Sequence, residues 1–154
     1  MDKKKLFYKD YKRELEDLGA DDGGKKIIPI AVDFDGTIVK HKFPEIGEEV
    51  PFAIDVINVL REDYNVGWIL NTMRTGKLLR EAVNWCKEHG IHLYGINRNP
   101  TQDEWESSSK TYAQFYVDDS NVCQPLVFEK GYRPYVDWMS VYNYLVPILE
   151  YMTK

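Results

Sequence analysis

The stretch IIPIAVDFDGTIV, residues 27–39, is an almost unbroken apolar run with two carboxylates, Asp33 and Asp35, near its end. A short apolar run followed by turn residues is typical of a buried strand, and Gly36 permits the turn that follows the acids. Charges at the end of a buried strand are costly unless something pairs with them. The stretch therefore predicts a central strand that ends in a functional pair of acids, and a simple turn before Gly36 is the alternative interpretation.

Bulk composition limits the class of protein. The chain has 154 residues, 44% of them hydrophobic, and a net charge of −5. We expect a helical arm or linker over residues 1–25 and a single domain over residues 26–154. No window approaches the ~18 apolar residues of a membrane span, and two distant cysteines without metal-like spacing fit a reducing cytoplasm. The acidic balance disfavours nucleic-acid binding by the whole surface but does not exclude a local basic patch.

Strand and helix patterns alternate along the chain. The strands are predicted at 27–32, 65–72, 91–96 and 111–119, with 125–128 as a candidate fifth strand. The helices are predicted from Pro51 to about Asp63, over 76–89, and after Asp137, where Pro147 predicts a kink or an early end. This alternation predicts an α/β fold, a doubly wound three-layer sandwich with a mainly parallel central sheet.

Oxygen-bearing side chains follow three of the predicted strands. Asp33 and Asp35 follow the first, Thr72 the second, and Asp118 with Asp119 the fourth. Ligands of such sheets gather at the carboxyl ends of the strands, and oxygen-only ligands suit Mg²⁺. We therefore predict a magnesium site built from the four acids. Asp119 is the preferred direct ligand of the last pair, but the sequence does not decide between it and Asp118.

These residues resemble the motifs of the haloacid dehalogenase superfamily. DFDGT at 33–37 matches the first motif, Thr72 the second, Lys110 the third and VDD at 117–119 the fourth, in the family's order. The resemblance covers roughly Ile27 to Phe128. It implies a Rossmann-like fold and a Mg²⁺-dependent phosphatase that hydrolyses phosphomonoesters through an aspartyl-phosphate.

The resemblance also implies a role for each motif residue. Asp33 would be the nucleophile and touch the metal ion. Asp35 would protonate the leaving oxygen and then activate water, while its backbone carbonyl joins the metal site. Thr72 and Lys110 would bind the transferred phosphoryl group.

Further residues near the motifs are candidates for the phosphate site. Gly36 lies in the turn after the acids, and Arg74 offers a bidentate phosphate contact, although a surface position at a helix start is its alternative interpretation. Lys77 is the rival of Lys110 as the phosphate-site lysine, and the sequence does not decide between them.

The gaps between the motifs predict the size of the substrate. Residues 38–50 suffice only for a flap and residues 97–110 only for a loop, so no sizeable cap is expected. An open site suits a bulky phosphorylated substrate, such as a phosphoprotein or a nucleic-acid end. A small phosphorylated metabolite would suit it if a second copy of the chain supplied the lid.

Three other functions share parts of this pattern. Phospho-accepting receiver modules of signalling systems use similar side chains, but there the acid pair comes first and the acceptor aspartate mid-chain. A nucleotide-sugar glycosyltransferase could carry a DxD motif, but such enzymes are generally longer. A non-catalytic binding protein is the third alternative, although all the side chains required for catalysis are present.

Overall fold

The structure is a computed structural model that describes residues 26–102 and 108–153. Its central sheet has four parallel strands in the order β3-β2-β1-β4. These are β1 (Ile28–Val32), β2 (Val66–Leu70), β3 (Leu93–Ile96) and β4 (Phe115–Val117). The prediction of an α/β fold with a mainly parallel sheet is confirmed, while the predicted arm at residues 1–25 lies outside the described residues.

Three helices pack against one face of this sheet. They are α1 (Ala53–Tyr64), α2 (Gly76–Glu88) and α3 (Trp138–Met152). Their buried residues share one hydrophobic cluster with alternate residues of β1 and β2, and the rings of Trp68 and Trp138 lie 6.0 Å apart within it. Right-handed crossovers from β1 to β2 and from β2 to β3 place α1 and α2 on the same face. No helix of the described ranges forms a third layer, so the doubly wound arrangement remains a prediction.

The order of the strands creates a switch point beside β1. The chain runs from β1 outward through β2 to β3 and then crosses back to add β4 on the other side of β1. Just past the strands, the backbone N–H of Asp33 donates to the carbonyl of Val117 at 2.9 Å. Where the connections after two adjacent strands run in opposite directions, a crevice opens at the carboxyl ends of these strands. The loops after β1 and β4 therefore meet at this edge.

Residues 38–50 form the flap that the sequence predicts. Ladder-like bonds close it, because Lys40 N–H donates to the Glu48 carbonyl at 2.8 Å and Val50 N–H donates to the Ile38 carbonyl at 2.8 Å. Its first half follows the Asp33–Thr37 turn directly. The flap therefore starts at the carboxyl edge of the sheet.

Two helix boundaries differ from the predictions. Helix α1 begins at Ala53 rather than Pro51, and Phe52 before it has a φ of 67° and is 55% exposed. Helix α3 continues through Pro147 to Met152, so an early end is wrong. Leu145 and Leu149 on either side of Pro147 are buried in the core, and this packing holds the helix together despite the missing N–H.

Two further predictions concern the chain after β4. Asp137 caps α3 as predicted and accepts a hydrogen bond from the Ser140 N–H at 3.3 Å. The predicted fifth strand is β5 (Leu126–Val127), but it pairs antiparallel with β6 (Tyr135–Val136) in a separate two-stranded sheet. Across the described residues, no helix combines the length and the apolar character needed to cross a membrane.

Candidate active site

Three carboxylates converge at the carboxyl edge of the sheet. Asp33 follows β1, and Asp118 and Asp119 follow β4. Each side chain offers one oxygen atom such that the three atoms lie within 4.8 Å of one another. Acids from opposite halves of the chain thus form one acidic cluster, defined here as Asp33, Asp118 and Asp119. This is the convergence that the strand ends predict.

Crowding and burial disfavour the charged forms of these acids. Burial, a hydrogen bond with Asp119 and the charge of Asp118 raise the pKa of Asp33 from 3.8 to about 8. Burial and the neighbouring Asp119 also raise the pKa of Asp118. A hard divalent cation would relieve this repulsion, and three carboxylates are a donor set that Mg²⁺ can use. Carboxylates also cluster in proteins without an ion, so the cluster alone does not identify an occupant.

Thr37 links the two halves of the acidic cluster. Its hydroxyl oxygen is fully buried and lies 3.4 Å from both Asp33 Oδ2 and Asp119 Oδ1. The same oxygen accepts the backbone N–H of Asp119 at 3.2 Å, and the Trp138 indole N–H fixes the Thr37 carbonyl at 2.7 Å. In the sequence Thr37 stands out only as part of DFDGT, and no role is predicted for it. The structure shows that it orients the acids.

Gly36 shapes the turn beneath the acidic cluster. Its φ is +80°, and a Cβ at this position would lie 2.5 Å from Asp119 Oδ2 and 2.1 Å from His41 Nε2. Only glycine combines this backbone conformation with the close approach of both side chains. The structure thus gives Gly36 a steric reason to be glycine, and its predicted contact with phosphate stays a prediction.

His41 contacts the acidic cluster, although its position in the sequence gives little reason to expect a role. It lies in the flap, and its Nε2 is 2.9 Å from Asp119 Oδ2. Both side chains are largely buried, with 15% and 12% exposed. The available signal was weak, because a lone histidine in a loop has no ligand spacing.

Asp35 lies outside the acidic cluster and pairs with Arg74. The guanidinium donates to both carboxylate oxygens, from Nε to Oδ2 and from Nη2 to Oδ1, each at 2.8 Å. The carboxylates at positions 33 and 35 therefore separate, because the chain has already left the strand and turns at Gly36. The Asp35 side chain is not among the clustered ligand atoms, and its predicted metal contact through the backbone carbonyl stays a prediction.

Arg74 is buried and bonded to the flap, and its predicted contact with phosphate stays a prediction. Arg74 is 2% exposed, and besides Asp35 its guanidinium donates to the flap carbonyls of Pro44 at 3.1 Å and Glu45 at 2.9 Å. The group also lies over the rings of Phe34 and Phe43, at 5.3 and 5.1 Å. This burial rules out the surface position that was the alternative interpretation. Arg74 fastens the flap to Asp35.

The remaining predicted phosphate ligands make their contacts with other residues than the acidic cluster. Thr72 lies two residues beyond β2, where its hydroxyl accepts the Arg74 N–H at 3.1 Å and its own N–H donates to Asn97 Oδ1 at 2.8 Å. Lys110 is exposed, and its Nζ lies 5.4 Å from the centre of the Tyr116 ring. Lys77 is 81% exposed and lies 3.8 Å from Glu81. Neither lysine makes a contact with the acidic cluster within the described ranges.

A cavity of about 350 Å³ lies elsewhere, at the amino-terminal side of the sheet. Its lining includes Lys26, Pro29, Tyr94 and Gln114. The described residues that line it include no acid, histidine or cysteine. The acidic cluster, rather than this cavity, therefore carries the candidate chemistry.

Comparison with known proteins gives one informative similarity. No protein-family model matches the chain, and no curated protein matches it either. A solved structure is similar with 36% sequence identity and a TM-score of 0.65, over 83% of this chain and 97% of the other. It is described as the structure of the conserved protein coded by a locus from Bacteroides thetaiotaomicron. The similarity extends over nearly the whole of that protein and supports the Rossmann-like α/β fold.

Proposed function

We propose a function on the premise that this chain belongs to the same family as the conserved Bacteroides thetaiotaomicron protein. Membership provides a shared fold, and the activity has to be argued from the site. We infer that the chain is a Mg²⁺-dependent phosphatase of the haloacid dehalogenase type, with a doubly wound Rossmann-like fold and no sizeable cap. It would hydrolyse phosphomonoesters through an aspartyl-phosphate on Asp33.

One observation carries the proposal. Acids from opposite halves of the chain, Asp33 after β1 and Asp118 with Asp119 after β4, bring ligand atoms within 4.8 Å of one another. The cluster lies at the switch point of the sheet, where ligands of such folds bind. An aspartate in this position can serve both as a metal ligand and as a nucleophile, because a carboxylate has two oxygens.

The residues present suggest how the reaction would proceed. Mg²⁺ held by the acidic cluster would neutralise charge on the phosphoryl group and on the acids. An Asp33 oxygen forms a bond to phosphorus while the bond to the leaving oxygen breaks. Water then attacks phosphorus and releases inorganic phosphate, which restores the Asp33 carboxylate. Thr72 and Lys110 would bind the phosphoryl oxygens, and Lys110 would have to turn away from Tyr116 to do so.

Asp35 is the candidate acid and base. Its two oxygens keep lone pairs beyond the bonds to Arg74, so the paired carboxylate can accept a proton from the attacking water. Donating a proton to the leaving oxygen requires the pair with Arg74 to open. The pair of Asp35 and Arg74 therefore has to open while the leaving oxygen is protonated, and it can stay closed while Asp35 accepts a proton from water.

The openness of the site bears on the substrate. The flap of residues 38–50 is the insertion after the first motif, and Arg74 and Lys40 fasten it to the domain. A substrate with a bulky group beyond its phosphate would then extend into solvent. We propose a phosphoprotein or another large phosphomonoester ahead of a nucleic-acid end, because the chain has a net charge of −5.

The proposal is tested by turnover of p-nitrophenyl phosphate with and without Mg²⁺. We expect hydrolysis by the full chain that EDTA abolishes. Replacing Asp33 with Asn should lower kcat/KM by at least about three orders of magnitude, since the nucleophile is lost. Asp55→Asn, an exposed change in the first turn of α1, is the matched control and should retain activity. Full activity of the Asp33→Asn variant would refute the assignment of the nucleophile.

The same samples separate the other functions. Incubation with acetyl phosphate that leaves Asp33 stably phosphorylated, without turnover, would favour a signalling module. Neither phosphorylation nor turnover would favour a binding protein. A panel of phosphopeptides, phosphorylated oligonucleotide ends and phosphorylated metabolites would then rank the substrates, and light scattering would show whether a second copy of the chain is present.

A further inference from the structure

The contact between His41 and Asp119 joins the flap to the acidic cluster. His41 Nε2 lies 2.9 Å from Asp119 Oδ2, within hydrogen-bond distance. As a metal ligand Asp119 would be a carboxylate, which only accepts hydrogen bonds, so the imidazole N–H would be the donor. On the other side, Asp119 Oδ1 lies 3.4 Å from the Thr37 hydroxyl. Both oxygens of Asp119 thus have a protein neighbour, and this restricts rotation of the carboxylate.

The contact requires glycine at position 36. A Cβ on Gly36 would clash with His41 Nε2 and with Asp119 Oδ2, which are the two atoms of the hydrogen bond. The imidazole and the carboxylate therefore lie directly above Gly36. A side chain there would push them apart.

The part of the flap that carries His41 is held in place. The neighbouring Lys40 is 7% exposed and pairs with Glu48 at 2.8 Å and Glu129 at 3.1 Å. Gly47 packs on the Lys40 carbonyl, which would lie 2.0 Å from a Cβ at Gly47. His41 thus extends from an anchored segment, and it can impose a position on Asp119 at little entropic cost.

We propose that His41 is a positioning residue that orients the Asp119 carboxylate for the divalent cation. This rests on the proposed function, because it assumes that the acidic cluster binds Mg²⁺. Partners that hydrogen-bond a metal-binding carboxylate fix its direction, and their loss typically weakens metal binding about 10- to 100-fold. His41 acts through Asp119 and need not touch the substrate.

Calorimetric titration of the full chain with MgCl₂ tests the proposal directly. We expect His41→Leu to weaken Mg²⁺ binding about 10- to 100-fold. His41→Gln should recover most of the affinity, because its amide nitrogen can reach the position of Nε2. His92→Gln is the matched control, since His92 precedes β3 at the opposite edge of the sheet, and it should bind like the wild type. Turnover of His41→Leu at saturating Mg²⁺ should approach the wild-type kcat.

Three results would overturn the proposal. Unchanged Mg²⁺ affinity in His41→Leu would remove the role of His41 and leave the proposed function intact. Equal losses of Mg²⁺ affinity in His41→Leu and His41→Gln would show that the effect comes from general packing and not from the hydrogen bond. A wild type that does not bind Mg²⁺ would overturn this proposal together with the metal-dependent function. If circular dichroism shows His41→Leu unfolded, His41→Asn, whose amide is too short to reach Asp119, replaces it with the same expected loss.

Discussion

At Arg74, one buried guanidinium makes four hydrogen bonds that join two parts of the chain. Two go to Asp35 and two to flap carbonyls, and the aromatic rings of Phe34 and Phe43 lie alongside. Lysine could not reproduce this planar, forked arrangement of donors. The position therefore requires arginine in particular. The sequence around Arg74 does not show this requirement, because its partners are brought near only by folding.

Replacing Arg74 with Met tests this structural role at the scale of one residue. The Asp35 carboxylate, 16% exposed, would lose its cationic partner in a largely desolvated place. Breaking a buried pair from one side costs about 3 kcal/mol, and urea unfolding measures this as a lower free energy of unfolding. Arg80→Met, on the exposed surface of α2, is the control and should change stability by less than about 0.5 kcal/mol. Equal stabilities of the two variants would contradict the role of Arg74.

The flap is the element whose position depends most on charge. Lys40 lies between Glu48 of the flap and Glu129 in the segment between β5 and β6, with its Nζ 4.0 Å from the centre of the Tyr132 ring. The hydrogen bond from Lys40 lowers the pKa of Glu48. Hydrogen bonds from Tyr135 and then Lys40 lower the pKa of Glu129. The two glutamates raise the pKa of Lys40.

These shifts predict how the stability of this element depends on pH. A glutamate with a lowered pKa stabilises the fold above its unfolded value of 4.5, and the contribution is lost as pH falls through the folded pKa. The raised pKa of Lys40 keeps its contribution intact below 10.5. Lys40→Met should therefore melt several degrees below the wild type at pH 7, and the difference should shrink below about pH 4.

Thermal melts from pH 3 to pH 8 measure this difference. Lys42→Met is a matched control, because Lys42 is an exposed lysine two residues along the same flap. It should melt like the wild type throughout. A deficit of the Lys40→Met variant that stays constant down to pH 3 would show that the charges of the two glutamates do not contribute.

At the scale of the whole molecule, the fold forces three carboxylates together at one edge of the sheet. The pKa of Asp33, raised to about 8 by burial and by its acidic neighbours, reflects the cost of this crowding. The cost falls on folding itself, because the unfolded chain keeps residues 33 and 118 far apart. A cation that binds only the folded state would stabilise the protein by mass action.

Replacing Asp33 with Asn should therefore raise the melting temperature in EDTA. Each 1 kcal/mol of relieved repulsion corresponds to about 2–4 °C for a chain of this size. MgCl₂ should raise the melting temperature of the wild type and have a smaller effect on the variant. Asp55→Asn, which removes an exposed charge that does not belong to the cluster, should show no rise in EDTA. A wild type with the same melting temperature in EDTA and in MgCl₂ would contradict the prediction.

The sequence predicts those parts of the site that follow from strand ends. Apolar runs locate β1, β2 and β4, and in a parallel sheet their carboxyl ends must share an edge, so the meeting of Asp33 with Asp118 and Asp119 is predictable. The roles of His41 and Arg74 are not predictable in this way. Both depend on the course of the flap, which has no period and is closed by backbone bonds and buried charges.

The amino-acid sequence by itself determined the alternation of strands and helices, because hydrophobic periodicity acts locally. This alternation implies a parallel sheet, and the acids that follow its strands then share one edge. Only the tertiary structure decided how the two acids of DFDGT divide. Asp33 turns into the acidic cluster, whereas Asp35 turns to a buried arginine 39 residues away. The physical reason is that the direction of a side chain after a strand depends on which partner can offset its charge, and that partner is brought near only by folding.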